Sequence, residues 1–151
     1  MRNDTPVDIL VVEDNDSERA SIVEALQASI PDVNLLAVRN GDEALDYLFR
    51  RAAWKDCAAG ETPKLILLDL AMPGTDGFSV LAQVRSVESE EALTLTPVVI
   101  FSDSLTETDV SKSYRCGANS YVIKPVSFPD FQSVVETLGR YWMTHNKVGV
   151  Y

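Results

Sequence analysis

The chain has 151 residues, of which 46% are hydrophobic and 24% charged, a composition typical of one globular domain rather than a disordered chain. Its 13 basic and 23 acidic residues give a formal net charge of −10, which argues against a nucleic-acid-binding surface because such surfaces are basic. No apolar stretch approaches the roughly 18 residues of a membrane span, and the N-terminus lacks a signal-peptide pattern, so we expect a cytoplasmic protein. Cys57 and Cys116 stand alone in the sequence, and we expect both to be reduced thiols.

Five short apolar runs recur along the chain without polar alternation, a pattern typical of strands buried on both faces of a sheet. They occupy 9–12, 35–38, 65–68, 98–101 and 121–123. Each is followed by a longer stretch, and four of these stretches carry apolar residues at helical spacing. The residues that set this spacing are Ile22, Leu26 and Ile30; Ala44, Leu45, Leu48 and Phe49; Val80, Leu81, Val84 and Val87; and Phe131, Val135, Leu138 and Trp142.

Capping residues mark the last two predicted helices. Thr106 with Asp109 three positions later resembles a helix start, and Gly117 is a plausible C-terminal cap. Ser127 and Pro129 open the final helix. The alternation therefore predicts an α/β fold of five βα units, a doubly wound parallel sheet with helices on both faces.

The polar residues that could carry out chemistry come directly after strands. Glu13 and Asp14 follow the first run, Asp69 the third, Ser102 the fourth and Lys124 the fifth. Because ligands bind beyond the carboxyl ends of parallel strands, we expect these side chains at one edge of the sheet. Two carboxylates about 4 Å apart repel by roughly 4 kcal/mol at an effective dielectric near 20. A divalent cation relieves that repulsion, and hard oxygen ligands suit Mg²⁺.

A carboxylate beside Mg²⁺, an ammonium group and a hydroxyl is suited to attack on phosphorus. The cation and Lys124 would neutralise the phosphoryl oxygens while Asp69 acts as nucleophile and becomes an acyl phosphate. Taken singly, Asp14 would be an ordinary helix cap, Asp69 a turn residue and Lys124 a solvated lysine. Their joint occurrence at strand ends favours the phosphoryl-transfer interpretation.

Three other classes of protein share some of these features. A Mg²⁺-dependent phosphohydrolase of the haloacid dehalogenase type also uses an aspartyl nucleophile, but it requires a second acid where Ala71 stands. A flavodoxin-like cofactor-binding protein needs an anion-attracting loop after its first strand, and Glu13-Asp14-Asn15-Asp16 would repel anions. A histidine phosphocarrier is disfavoured because the only histidine is His145, near the chain end. The phosphohydrolase is the principal alternative.

Over about residues 7–145 the chain resembles the receiver domain of bacterial two-component response regulators. The resemblance rests on the segments 9–15, 65–77, 97–102 and 117–125. It implies the flavodoxin-like strand order 2-1-3-4-5. It also implies a phosphoacceptor that receives its phosphoryl group from a sensor histidine kinase and signals by conformational switching or protein contact. Such a protein assists its own phosphorylation and slow dephosphorylation and is not an enzyme with a separate substrate.

The resemblance assigns the metal and phosphoacceptor roles to four residues. Asp69 looks like the phosphoacceptor and a ligand of Mg²⁺. Asp14 resembles a direct ligand of the ion, and Glu13 one that acts through water. The backbone carbonyl of Ala71 would complete the protein's share of the coordination.

Five further residues match the switch and the scaffold of that family. Ser102 resembles the switch hydroxyl that bonds a phosphoryl oxygen, and Tyr121 the aromatic that turns inward with it. Lys124 resembles the lysine that contacts the phosphoryl group. The family usually has a cis peptide at the position before Pro125, and Gly77 is a structural match.

Three features resemble the single-domain regulators paired with bacterial phytochrome histidine kinases. They are the long connection 52–63, Tyr141-Trp142 near the end of the last helix, and the lack of an output domain beyond the tails 1–6 and 146–151. The implied partners are a sensor histidine kinase, in this branch a bacteriophytochrome, and a second copy of the chain. The second copy would bind the face formed by helix 4, strand 5 and helix 5, or the C-terminal helix and tail. Neither nucleic acid nor membrane is an expected partner.

Asp103 departs from the family pattern, which usually has a small or uncharged residue after the switch hydroxyl. An additional carboxylate at the mouth of the site should oppose an incoming anion. Ala71 also has no side-chain group that could orient an attacking water.

Overall fold

Five parallel strands form one sheet in a computed structural model of the chain, which describes residues 6–56 and 62–151. The strands are β1 (Ile9–Val12), β2 (Leu35–Val38), β3 (Leu65–Leu68), β4 (Val98–Ser102) and β5 (Ser120–Ile123). Their order is β2-β1-β3-β4-β5 and every neighbouring pair is parallel. The predicted order is confirmed, and each predicted strand is correct to within one residue at either end.

Five helices connect and cover these strands. They are α1 (Asp16–Ser29), α2 (Gly41–Leu48), α3 (Gly77–Val84), α4 (Glu107–Arg115) and α5 (Phe128–Arg140). Each begins after a side chain that accepts a hydrogen bond from the backbone N–H three residues later, which is the usual N-cap arrangement. The capping residues are Asn15, Asn40, Asp76, Thr106 and Ser127. The predicted helix starts at Thr106 and Ser127 are thus confirmed.

Shorter elements were not predicted from the sequence. A 3-10 turn spans Ala52–Trp54, a single helical turn Glu91–Thr94, and a π-helical turn Tyr141–His145 extends α5. The expected place of Val87 on the buried stripe of α3 is wrong, because the helix ends at Val84 and Val87 is 98% exposed.

Part of the connection 52–63, including Cys57, lies outside the described residues, as does most of the tail 1–6. Cys116 is a half-buried free thiol. Among the residues that the structure describes, no helix has the length and apolar character needed to cross a bilayer.

The core has two layers because successive strand residues face opposite sides of the sheet. Alternate strand residues, such as Leu10 and Ile66, pack with α2 and α3. The residues between them, such as Val11 and Leu67, pack with α1 and α5. The two layers cover both faces of the sheet and leave open its carboxyl-end edge, where the predicted site residues lie.

Two glycines allow close approaches that position this edge. A Cβ on Gly77 would collide with the carbonyl oxygen of Asp69, and the Gly77 N–H donates to the carbonyl of Leu70 at 2.9 Å. The start of α3 is therefore fixed directly against the end of β3. A Cβ on Gly139 would lie 2.7 Å from methyl groups of Leu26 and Ile30, so α5 lies directly on α1.

Candidate functional site

The carboxyl ends of β1, β3, β4 and β5 surround an open cleft of about 240 Å³. Six of the residues predicted from strand ends and motifs line it. The whole lining consists of Glu13, Asp14, Asn15, Glu18, Asp69, Leu70, Ala71, Ser102, Asp103, Ser104, Asp109 and Lys124. These six residues lie together at the carboxyl ends of the parallel strands, as the sequence predicted.

Three carboxylates meet in this cleft. Glu13, Asp14 and Asp69 each offer an oxygen, and these oxygens all lie within 4.8 Å of one another. Glu13 is 2% exposed and Asp69 6% exposed, whereas Asp14 is half-buried. The cap of α1 is Asn15, which accepts from the Glu18 N–H at 2.9 Å. Asp14 is therefore not used as a helix cap, the role it would most simply have had.

Burial has a marked effect on two of these acids. Loss of solvent raises the pKa of Glu13 to about 8 and that of Asp69 to about 6. Lys124 counteracts the rise in both, but it is a single ammonium group among several carboxylates. Burial therefore disfavours the charged forms of both acids, and Lys124 offsets this effect only in part.

Lys124 is the cation of the cluster and is itself buried. Its Nζ donates to Glu13 Oε1 at 2.6 Å and to Glu18 Oε2 at 2.7 Å, and it lies 3.7 Å from Asp69 Oδ1. Burial alone would lower the pKa of Lys124, but the hydrogen bonds to the two glutamates outweigh burial and raise it. Sequence reasoning missed Glu18. Its position in the first turn of α1, just beyond the end of β1, was the available signal.

A chain of hydrogen bonds links the predicted switch residues. The Ser104 N–H donates to Ser102 Oγ at 3.2 Å, and Tyr121 Oη donates to the Ser104 carbonyl at 2.8 Å. Ser104 Oγ donates to Asp109 Oδ2 at 2.6 Å. Ser102 is buried and Tyr121 half-buried. Ser104 connects Ser102 to Tyr121, and no sequence pattern predicted a role for it.

The remaining predicted residues have mixed outcomes. Ala71 and Asp103 line the cleft and are exposed. The expectation of a cis peptide before Pro125 is wrong, because no cis peptide occurs among residues 6–56 and 62–151. The trans form is the lower-energy isomer, and with it Lys124 already reaches both glutamates.

The donor set fits a hard divalent cation. Three carboxylates that converge within one coordination shell, beside open cleft volume for water, are suited to Mg²⁺, which keeps several waters when bound by protein. A cation among them would favour the charged forms of Glu13 and Asp69, which burial disfavours. Glu13, Asp14 and Asp69 are the residues that would hold it.

Comparison with known proteins agrees with this geometry. The family model of the response regulator receiver domain matches residues 9–136. The chain is 34% identical over 142 residues to the probable methanogenesis regulatory protein FilR2 of Methanothrix harundinacea, covering 94% of this chain and 87% of that protein. It is 32% identical over 138 residues to response regulator Rcp1 of Synechocystis sp., covering 91% of this chain and 90% of Rcp1.

Solved structures show the same architecture. The phosphorylated cyanobacterial phytochrome response regulator RcpA aligns with a TM-score of 0.86 at 32% identity, over 97% of this chain and all of RcpA. The Mn²⁺-bound form of Rcp1 aligns with a TM-score of 0.85 at 30% identity, over 96% of this chain and all of Rcp1.

Proposed function

This chain belongs to the family of response regulator receiver domains, and from that membership we propose that Asp69 is its phosphoacceptor. The observation that carries the proposal is the convergence of the Glu13, Asp14 and Asp69 carboxylates within 4.8 Å beside a buried lysine. The phosphoryl group would come from a histidine of a sensor kinase. We propose residues 7–145 as the receiver unit, which is consistent with a last helical turn that ends at His145.

Three residues of the cleft, Asp69, Lys124 and Ser102, contact the phosphoryl group in the proposed transfer. A carboxylate oxygen of Asp69 forms a bond to phosphorus as the bond from phosphorus to the histidine nitrogen breaks, and that nitrogen keeps the electron pair. Lys124 Nζ, 3.7 Å from Asp69 Oδ1, approaches the phosphoryl oxygens. Ser102 Oγ turns to donate to one of them.

Mg²⁺ would supply the remaining positive charge when bound, neutralising phosphoryl oxygens during the transfer. We propose Asp14 and Asp69 as direct ligands, Glu13 as a ligand through water, and the Ala71 carbonyl as the last protein ligand. The Mn²⁺-bound structure of the relative Rcp1 supports a divalent metal at this kind of site.

The signal would leave the cleft through Ser104. When Ser102 Oγ donates to a phosphoryl oxygen, it turns away from the Ser104 N–H, whose hydrogen bond at 3.2 Å is then lost. Ser104 in turn accepts from Tyr121 Oη, so a shift of this backbone releases the tyrosine. Phosphorylation thereby changes the balance between two conformations of β5 and the helices beside it.

The partners follow from this path. Receiver domains are phosphorylated by histidine kinases, and the similarity to phytochrome response regulators supports a bacteriophytochrome as the kinase. We propose that the reaction takes place in the cytoplasm. We propose a second copy of the chain on the face of α4, β5 and α5, or on the C-terminal helix and tail. Apolar side chains are exposed there, namely Ile123, Val126, Phe128 and Tyr141.

The test is incubation with acetyl phosphate and Mg²⁺, followed by intact-mass and size measurements. We expect one phosphoryl adduct on the wild-type chain and none on Asp69→Asn. Asp32→Asn is a matched control, because Asp32 lies in a turn with φ of 68°, a conformation that Asn tolerates well. An adduct of undiminished yield on Asp69→Asn would contradict the proposal.

A phosphohydrolase of the haloacid dehalogenase type is not supported. The family match is to receiver domains, and Ala71 provides no second acid. We propose that the chain acts as a phosphoacceptor that assists its own phosphorylation and slow dephosphorylation, rather than as an enzyme on a separate substrate. Steady release of phosphate from many unrelated esters would overturn this part of the proposal.

A further inference from the structure

Glu18 pairs with Lys124 although it lies outside the carboxylate cluster that fits the metal. Its Oε2 is 2.7 Å from Nζ, nearly as short as the 2.6 Å contact of Glu13. The Glu18 side chain is 32% exposed and lines the cleft, whereas the Lys124 side chain is 2% exposed. Glu18 therefore stands between the ammonium group and solvent.

The donors of Lys124 are almost fully engaged in this arrangement. An ammonium group has three N–H donors, and two of them are directed at Glu13 and Glu18. The 3.7 Å separation from Asp69 Oδ1 is too long for a hydrogen bond. A phosphoryl group on Asp69 would bring three anionic oxygens to the ammonium group, and they would need donors that the glutamates now hold.

We propose that Glu18 is a positioning residue that holds Lys124 in the unphosphorylated protein and competes with the phosphoryl group for its ammonium. This inference rests on the proposed function. With acetyl phosphate, an Asp69 oxygen bonds to phosphorus as the bond from phosphorus to the acetyl oxygen breaks, and acetate leaves with that electron pair. The third N–H of Lys124 can turn to one phosphoryl oxygen, but a second contact requires it to give up Glu18, so Glu18 slows the step.

Electrostatics acts in the same direction. The carboxylate of Glu18 is a fixed negative charge at the mouth through which a phosphodonor dianion enters, and like charges at this range repel. Glu13 differs in this respect, because a bound metal would compensate its charge. Glu18 lies outside the group of three acids whose oxygens converge, so its charge would remain.

The test compares Glu18→Gln with Asp16→Asn in the full chain. Both substitutions remove one negative charge from the first turn of α1 and weaken the same favourable interaction with the helix dipole. Asp16 differs because its side chain is 85% exposed and it pairs with Arg19 instead of Lys124. Beryllium fluoride with Mg²⁺ serves as an unreactive phosphoryl analogue whose affinity is measured by calorimetry, and acetyl phosphate gives the initial rate of labelling by intact mass.

We expect the affinity of Glu18→Gln for beryllium fluoride and its initial rate of labelling to be about fivefold to tenfold higher than those of wild type. The same two quantities should change by less than about twofold in Asp16→Asn. Glu18→Asp keeps the charge but withdraws it by one methylene, and we expect values between those of wild type and Glu18→Gln. Melting temperatures verify that all variants are folded.

A Glu18→Gln value within twofold of wild type, or below it, would overturn the inference, as would an equal gain in Asp16→Asn. If the wild-type chain is labelled on Asp69 while these variants behave alike, only the role of Glu18 fails. If the wild-type chain takes up no phosphoryl group, the proposed function fails and this inference fails with it.

Discussion

Two buried or half-buried cations, Lys124 and Arg85, have opposite surroundings. Lys124 lies at the carboxyl-end edge of the sheet and donates only to carboxylates, Glu13 and Glu18. Arg85, at the end of α3, donates only to uncharged oxygens at 2.7 to 2.9 Å. Its acceptors are the carbonyls of Thr94, Thr96 and Gly117 and the side-chain amide of Asn119.

The two regions therefore differ in how a buried positive charge is accommodated. Burial lowers the pKa of Arg85, and its fork of donors is satisfied by neutral groups that join α3 to the segments around β4 and β5. Around Lys124, hydrogen bonds to acids raise the pKa of the lysine while burial raises those of the acids. Stability alone does not call for surplus buried charge, since buried ion pairs contribute little net stability. The difference agrees with the chemical role proposed above for the Lys124 region.

The strongest test of this comparison is removal of the buried lysine. We expect Lys124→Met to lose about 3–5 kcal/mol of unfolding free energy at pH 8 without Mg²⁺, because several acids then remain without a counterion. Urea unfolding followed by circular dichroism measures it. Lys147→Met is the control, since Lys147 is exposed, and it should change stability by less than about 0.5 kcal/mol. Equal losses in both variants would contradict the comparison.

The pH dependence of the wild-type chain is the next test. The folded-state pKa values of Glu13 and Asp69, about 8 and about 6, exceed their ordinary values of 4.5 and 3.8. The native state then binds more protons than the unfolded state, so stability falls as pH rises between about 4 and 8. We expect a loss of about 3–5 kcal/mol of unfolding free energy from pH 5 to pH 8 without Mg²⁺.

Urea midpoints at several pH values, with and without Mg²⁺, measure this loss. Saturating Mg²⁺ should reduce it, because the ion favours the charged carboxylates of the native state. Asp69→Asn should also weaken the dependence of the unfolding free energy on pH, because it removes one of the two acids with a raised pKa. Metal-free stability that increases from pH 5 to pH 8 would show that the acids are not held out of water as described.

The contribution of Arg85 to stability should not depend on pH. Arg85→Lys keeps the charge but loses the planar fork, and we expect it to cost about 1–2 kcal/mol. Because the acceptors are uncharged, the loss should be the same at pH 5.5 and pH 8. Arg39→Lys, at an exposed pair with Glu43, should cost less than about 0.5 kcal/mol. A loss that depends strongly on pH would remove the contrast with Lys124.

The smallest expected effect is that of Asp103, at the exposed rim of the cleft, on the rate of phosphorylation. Asp103 lines the cleft but is exposed to solvent, so its charge is largely screened. We expect Asp103→Ala to speed labelling by acetyl phosphate about twofold to threefold. Glu24→Ala, an exposed acid of α1 outside the cleft, should leave the rate unchanged. An equal or slower rate for Asp103→Ala would exclude Asp103 from the electrostatic barrier.

The sheet could be predicted because its strands are buried on both faces and appear as uninterrupted apolar runs such as 65–68. The edge rule for parallel strands then carried Asp69 and Lys124 to one cleft without knowledge of any contact. Helix ends that are set by single contacts were harder to predict. Val87 fits the apolar spacing of α3, yet the chain turns at Arg85, whose hydrogen bonds are made to distant segments.

The missed parts of the site depend on side-chain geometry rather than pattern. Glu18 looks like an ordinary acid in the first turn of a helix, and only the reach of Lys124 gives it a role. Ser104 contributes mainly through its backbone, through the N–H to Ser102 and the carbonyl to Tyr121. Backbone groups are identical in every sequence, so no residue pattern could have indicated them.

The contact at Gly139 has a mechanical consequence. The lack of a side chain on Gly139 lets the backbone of α5 approach the Leu26 and Ile30 side chains at the end of α1 closely. The first turn of α1 contributes Glu18 to the cleft, and α5 lies on the face proposed above for a second copy of the chain. A methyl group at position 139 would meet the ends of the Leu26 and Ile30 side chains, which would then have to shift, so the close spacing of these two helices depends on one small residue.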